Sequence, residues 1–150
     1  MKVKSPYGFS VDTDLAVGEA ESSVRELLKE EGFGVLTEID VQSTLKDKLN
    51  IDFRPYKILG ACNPLLAHRA LLVEPGIGLL LPCNVVVEAG PSGGSRISFL
   101  DPEIALGLVG NPGLEPIAKD ASQRLRRVAG RLSGAASFSG LAPSNKQGGE

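Results

Sequence analysis

The chain has 150 residues, and 42% of them are hydrophobic, which suits a single globular domain with one core. Its 16 Lys and Arg residues are balanced by 18 Asp and Glu residues, giving a net charge of -2, so the composition disfavours nucleic acid as a partner. The two cysteines and one histidine exclude a multi-disulfide scaffold, a four-cysteine zinc finger and any mechanism that needs two histidines.

Targeting signals are not evident in the sequence. The segment 1–6 is charged and ends in a proline, with no apolar stretch behind it, so we expect no secretory signal. The most apolar segment, 76–87, is interrupted by Pro82 and is shorter than the roughly 20 residues that a spanning helix needs. We therefore expect a cytoplasmic protein without a membrane partner, in which the thiols stay reduced.

The first half of the chain alternates between strand and helix patterns. Apolar residues at every second position over 7–15 predict a half-buried strand, and the same pattern over 33–39 predicts a second one. Between them, 17–30 has the spacing of an acidic amphipathic helix that ends at Gly32. Asp40 can cap a short helix that runs to about residue 50.

The second half continues this alternation. Residues 55–62 predict a third strand, and Asn63-Pro64 is an N-cap followed by proline, so a helix begins there and runs to about Val73. The later elements are two apolar runs at 77–82 and 85–88, a turn at 89–94, a second hairpin arm at 96–100, a short helix at 102–110 and a last helix at 112–132.

The predicted fold class is therefore α+β, with the order β-α-β-α-β-α-β-β-α-α. We expect one domain over 1–132, built on a mixed sheet of about four to six strands with helices packed on it. Residues 133–150 are rich in Gly, Ser and Ala and lack periodicity, which predicts a disordered C-terminal tail.

Three segments of the chain resemble the family called domain of unknown function 302. They are 31–41 (EGFGVLTEIDV), 53–64 (FRPYKILGACNP) and 78–85 (GLLLPCNV), and the resemblance extends from about Ser5 to Leu132. It implies a small α+β domain that forms homodimers. It implies no activity, because the family has none assigned.

Two Cys-Asn pairs, Cys62-Asn63 and Cys83-Asn84, mark a candidate site. If the strands that end at Cys62 and Cys83 are parallel neighbours joined by a right-handed crossover, both cysteines lie at the same sheet edge. The helix that starts at Pro64 would direct its N-terminus there, and His68 could face the same pocket. The predicted ligand-binding residues are Cys62, Asn63, His68, Cys83 and Asn84. An antiparallel pairing would place the cysteines at opposite ends.

Three functions fit this site. Two thiolates and one imidazole with an open position could bind a soft metal ion, with Cys62, His68 and Cys83 as the ligands of a small-ligand- or metal-binding module. Alternatively, Cys62 is the nucleophile of a thiol redox protein or enzyme and Cys83 its resolving partner, which needs a Cα to Cα distance of about 4.4–6.8 Å. In the third interpretation the thiols pack as small apolar residues in a structural dimerisation module.

The last predicted helix carries a basic face formed by Arg124, Arg127 and Arg131. Because the net charge is negative and no aromatic residues are interleaved, we interpret it as a solvated face rather than a surface for nucleic acid or membrane. The same face could meet the acidic helix at 17–31 across a packing or dimer contact, where each exposed ion pair contributes about 0–1 kcal/mol.

Overall fold

Six strands and five α-helices lie within residues 2–137, the part of the chain that this computed structural model describes. The strands are β1 Lys2–Ser5, β2 Gly8–Thr13, β3 Gly34–Asp40, β4 Tyr56–Cys62, β5 Cys83–Ala89 and β6 Ser95–Leu100. The helices are α1 Val17–Glu30, α2 Val41–Leu49, α3 Pro64–Val73, α4 Pro102–Gly107 and α5 Glu115–Ser137, with 3-10 helices at Pro75–Leu80 and Pro112–Leu114. The α+β class and the order of elements are confirmed, with β1 as an additional strand before the first predicted one.

One sheet contains all six strands, in the order β1-β2-β6-β5-β4-β3. Every neighbouring pair is antiparallel, so the parallel pairing expected for the strands that carry Cys62 and Cys83 is wrong. The apolar run 77–82 does not form a strand. Residues 77–80 of this run belong to the 3-10 helix Pro75–Leu80, in which Ile77 is buried and Leu79 is 93% exposed. After α3, this 3-10 helix returns the chain to the end of the sheet where β4 stops, so β5 runs antiparallel to β4.

One face of the sheet is covered by helices. α1 contacts β3, β5 and β6, and α5 contacts β2. The side chains that this face contributes to the core alternate along the strands: Phe9, Val11, Leu59, Ala61, Val85, Val87, Ile97 and Phe99. Helix residues that meet them include Val24, Leu28, Leu125 and Val128. We call the opposite side of the sheet the outer face.

The basic face of α5 meets the end of α1. The guanidinium of Arg127 donates to both carboxylate oxygens of Glu31, at 3.0 and 2.8 Å. Arg131 pairs with Glu30, and Arg124 donates to the Glu31 carbonyl oxygen at 2.9 Å. The expected contact between the two helices is therefore confirmed, as packing within one chain.

A buried carboxylate fixes the start of α4. Asp101 is 5% exposed and accepts hydrogen bonds from the Glu103 backbone N–H at 3.0 Å, from Ser122 Oγ at 3.1 Å and from Arg126 Nη2 at 2.7 Å. The guanidinium of Arg126 also lies 4.4 Å from the Phe9 ring centre. These contacts join α4, α5 and β2.

Helix α5 continues to Ser137, five residues beyond the predicted end of the domain at residue 132. The apolar stripe of the helix includes Leu132, which is fully buried, and the helix extends past it. The rest of the predicted tail, 138–150, lies outside the described residues. Within 2–137, none of the helices combines the length and the apolar character needed to span a bilayer.

Candidate functional site

The two Cys-Asn pairs meet where β4 ends and β5 begins. In the register of this pair, Ala61 lies opposite Cys83 and Gly60 lies opposite Asn84. The apolar pattern predicts Cys83 at the end of its strand, but Cys83 begins β5. This error offsets the wrong strand direction, so the two cysteines are close in the backbone although the strands are antiparallel.

The side chains of the two cysteines leave the sheet on different faces. Cys83 shares a face with its partner Ala61, which is buried under the helices, and Cys62, the next residue, points to the outer face because side chains alternate along a strand. The usual Cα spacings along a strand and across an antiparallel pair place the Cα atoms of Cys62 and Cys83 roughly 6 Å apart. A disulfide also needs Cβ atoms that point toward each other. This backbone therefore does not present Cys62 and Cys83 as a redox pair, and both thiols are free.

Neither thiol is activated in this environment. Burial raises the pKa of the Cys62 thiol. Burial raises the pKa of Cys83 to about 11, with a smaller contribution from the nearby Cys62. Both groups are therefore neutral at pH 7, whereas nucleophilic cysteines have lowered pKa values.

Asn63 has a structural role. Its side chain is 8% exposed, accepts a hydrogen bond from the Leu66 backbone N–H at 3.2 Å and donates to the Glu31 carbonyl oxygen at 3.4 Å. It thus caps α3, as the sequence predicted, and also fastens α3 to the end of α1. Gly32 has a φ of +85°, and a Cβ there would lie 3.0 Å from Asn63 Nδ2. This close approach favours glycine at position 32, where the end of α1 meets Asn63.

His68 and Asn84 lie apart from each other. Helix α3 buries Leu66 and Ala70. His68 is two residues from each of them, which places it on the other side of the helix, and it is exposed to solvent. Asn84 is exposed on the outer face. Among residues 2–137, no three His, Cys, Asp or Glu side chains are grouped so that they could hold a metal ion. The predicted ligand set of Cys62, His68 and Cys83 is not assembled.

A row of three apolar side chains crosses half of the outer face. Ile39 lies opposite Ile58, and Ile58 lies opposite Val86. Ile39 is 51% exposed, and the other two are half-buried. We call these three residues the apolar row. It continues into a polar pair, Ser98 and Ser10, whose hydroxyl groups are 2.7 Å apart.

The sequence contained a signal for the apolar row that alternation alone does not reveal. A strand with one solvated face alternates apolar and polar residues. Residues 58–59 and 85–87 are instead continuously apolar, which indicates strands with apolar groups on both faces.

A charged row borders the apolar row. Tyr56, Glu88, Arg96 and Asp12 are successive partners across four strands. Arg96 donates to both oxygens of Asp12, at 2.7 and 3.0 Å, and the Arg96 hydrogen bond holds the pKa of that carboxyl below its ordinary value. Burial raises the pKa of Tyr56. Glu88 and Asp12 outnumber Arg96 in the row, and Arg54, which pairs with Glu88 at 2.9 Å, balances the charge.

A surface cleft of about 490 Å³ lies between α4 and the start of α5. Leu106 and Leu114 contribute apolar groups, and Glu103, Glu115 and Lys119 contribute charged ones. Its lining includes none of the residues that the sequence analysis selected. The cleft is therefore separate from the two Cys-Asn pairs.

Comparison with known proteins gives a family but no activity. Residues 9–132 match the profile of "Domain of unknown function DUF302". The chain is also similar to the crystal structure of an uncharacterized conserved protein DUF302 from Bacillus stearothermophilus, with 34% identity, a TM-score of 0.79 and coverage of 85% of this chain and 99% of that chain. No curated protein matches the chain. The chain therefore belongs to the DUF302 family, as the three matching segments in its sequence indicated.

Proposed function

We propose that this protein is a homodimerisation module whose two copies associate through their outer faces. The observation that carries the proposal is the apolar row, in which Ile39, Ile58 and Val86 are adjacent in register on the face opposite α1 and α5. Helix α2 contacts β4 but buries none of its own residues. The solvated face of an antiparallel sheet is normally polar, and contiguous exposed apolar groups mark interaction surfaces.

The size and charge of the outer face suit a second copy of the chain. Six strands at a spacing of about 4.8 Å, each of about six residues at about 3.4 Å, give a face of roughly 580 Å². Two such faces bury roughly 1,200 Å² in total, at the lower limit of stable interfaces. The charges of the Asp12–Arg96 and Arg54–Glu88 pairs cancel within each copy, so they do not repel an identical face. The family resemblance of the sequence also implies homodimers.

A small-ligand site is the second candidate. Two residues of the predicted site, Cys62 and Asn84, belong to the outer face at the end of β4 and the start of β5, which are two of the three strands that carry the apolar row. A small apolar ligand on this row would have a thiol and an amide within reach. A metal ion is not proposed, because the three expected ligands are not grouped. We also propose a cytoplasmic location. The two free thiols support it, because the cytoplasm keeps cysteines reduced.

Sedimentation velocity tests the dimer. We expect the wild-type protein to sediment as a species of twice the chain mass at tens of micromolar. Val86→Arg should sediment as a monomer, because a charge in the apolar row, on a strand near the middle of the sheet, would be buried without a partner. Leu79→Arg is the matched control. It changes an apolar residue that is 93% exposed on the 3-10 helix, and it should remain a dimer.

Circular dichroism of the same samples separates loss of association from loss of folding. A monomeric Val86→Arg protein with the wild-type spectrum supports the proposal. A wild-type protein that is monomeric at this concentration would refute it. A folded Val86→Arg variant that remains dimeric would also refute it, and a ligand site on the same face would then be the better explanation of the apolar row.

A further inference from the structure

We propose that Phe53, Tyr56 and Glu88 form a binding site for the guanidinium group of a small molecule, and that Arg54 is a tethered occupant which such a ligand displaces. The site lies at the start of β4, at the rim of the outer face, where the loop before this strand meets the charged row. It goes beyond the proposed dimer, because one copy of the chain supplies all of its residues.

Two aromatic rings and one carboxylate form the walls of this site. The ring centres of Phe53 and Tyr56 are 6.1 Å apart, and the ring planes are inclined at 64°. The Arg54 Cζ atom lies 4.6 Å from the centre of the Phe53 ring and 5.6 Å from the centre of the Tyr56 ring. Arginine and other cations are attracted to ring faces within about 6 Å. The walls are therefore placed for a planar cation.

The carboxylate of Glu88 completes the site. Its side chain is 16% exposed, and its strand pairs with β4 on one side and β6 on the other, so the carboxylate is held in position by the sheet. A carboxylate favours guanidinium over ammonium, because it can accept two parallel N–H donors from one planar group.

Arg54 engages only one of the two oxygens of the Glu88 carboxylate. Arg54 Nε and Nη2 both donate to the same oxygen, Glu88 Oε1, at 3.0 and 2.9 Å. Among residues 5–133, whose side chains the structure describes, no donor contacts the other oxygen, Oε2. By contrast, Arg96 engages both oxygens of Asp12, and Arg127 engages both oxygens of Glu31. An untethered guanidinium could take the two-oxygen arrangement that Arg54 does not adopt.

Arg54 is also weakly held. Its side chain is 49% exposed, and exposed ion pairs and exposed cation–π contacts each contribute little. Its main advantage over a free ligand is that the chain keeps it near the site, which corresponds to an effective concentration in the millimolar range. Removing this side chain should therefore raise the affinity for a free guanidinium ion.

Tyrosine fluorescence can test the site, since the protein has two tyrosines and no tryptophan. In a Tyr7→Phe background, Tyr56 is the single fluorophore. We would titrate methylguanidinium, with methylammonium as the control cation of equal charge, into this protein and into its Arg54→Ala variant. We expect a saturable change with methylguanidinium, with about tenfold higher affinity after Arg54→Ala, and a weaker response to methylammonium.

Two further variants sharpen the test. Adding Glu88→Gln to the Arg54→Ala protein should abolish the saturable change, because the carboxylate is lost. Arg131→Ala, which removes another exposed arginine with a carboxylate partner but with no aromatic contact described, should behave like the parent protein. The proposal is wrong if Arg54→Ala shows no saturation, if its affinity equals that of the parent, or if both cations bind alike. Sedimentation of the same samples reports separately on the dimer.

Discussion

Replacement of Gly60 by alanine tests how closely the outer face is packed at the predicted site. Gly60 lies in β4 opposite Asn84. A Cβ at this position would lie 2.0 Å from Thr37 Oγ1 and 2.8 Å from Pro82 Cγ. The Thr37 hydroxyl can move by rotation, which costs about 0.5–1.5 kcal/mol. The proline ring has no such freedom and must shift with its backbone.

We expect Gly60→Ala to lower the free energy of unfolding by about 2–3 kcal/mol, which is within the range for added methyl groups in packed sites plus the rotamer change. This is a large fraction of the roughly 5–15 kcal/mol that stabilises a typical domain. Urea denaturation followed by circular dichroism measures the change, with the midpoint and the slope fitted separately.

Gly34→Ala is the matched control for this experiment. Gly34 lies on the adjacent strand opposite Cys62, and a Cβ there would meet no atom within 4 Å. This variant should therefore be neutral or slightly stabilised. Adding Thr37→Ala to Gly60→Ala should recover part of the lost stability, because it removes the closer contact. The reasoning is refuted if Gly60→Ala loses less than about 0.5 kcal/mol or behaves like Gly34→Ala.

Two further predictions follow from the titratable groups. At pH 8, Cys83, with its pKa of about 11, should react with a thiol reagent about 100-fold more slowly than a cysteine of ordinary pKa. Cys62→Ser should therefore remove the faster phase; a fast phase that persists in this variant would contradict the assignment. The hydrogen bond from Arg127 lowers the pKa of Glu31 from 4.5, so this stabilisation is complete above that pH and is lost as the pH falls through the lower, folded-state value. The urea concentration at the midpoint of unfolding should decrease as the pH falls below about 4.5, and it should decrease less steeply in Glu31→Gln. Identical pH profiles for the two proteins would contradict this role of Glu31.

Local signals in the sequence predicted the helix starts well. Asp40, Asn63, Asp101 and Asn111 each accept a hydrogen bond from a backbone N–H at the beginning of the following helix. Such a cap depends on residues only two or three positions apart, so the sequence contains nearly all the information that determines it.

The strand pairing at the candidate site could not be predicted in the same way. Periodicity reveals that a segment is extended but not which end of a neighbour it meets, and 77–82 has the apolar content of a strand although most of it is a 3-10 helix. Two errors offset each other in the location of Cys62 and Cys83. Their separation onto two faces follows only from the register, in which Ala61 and not Cys62 is opposite Cys83.

The position of β2 in the sheet has a consequence for synthesis on the ribosome. β2 pairs only with β1 and β6, and its Phe9 ring stacks on Phe99 with centres 5.3 Å apart. The strands from β3 to β6 are neighbours in the order in which they are made, so each can join the previous one as it leaves the tunnel. The N-terminal hairpin must wait until β6 emerges, with its apolar side chains uncovered. Slowed elongation before residue 100 would therefore prolong the interval in which the apolar side chains of this hairpin are exposed to other chains.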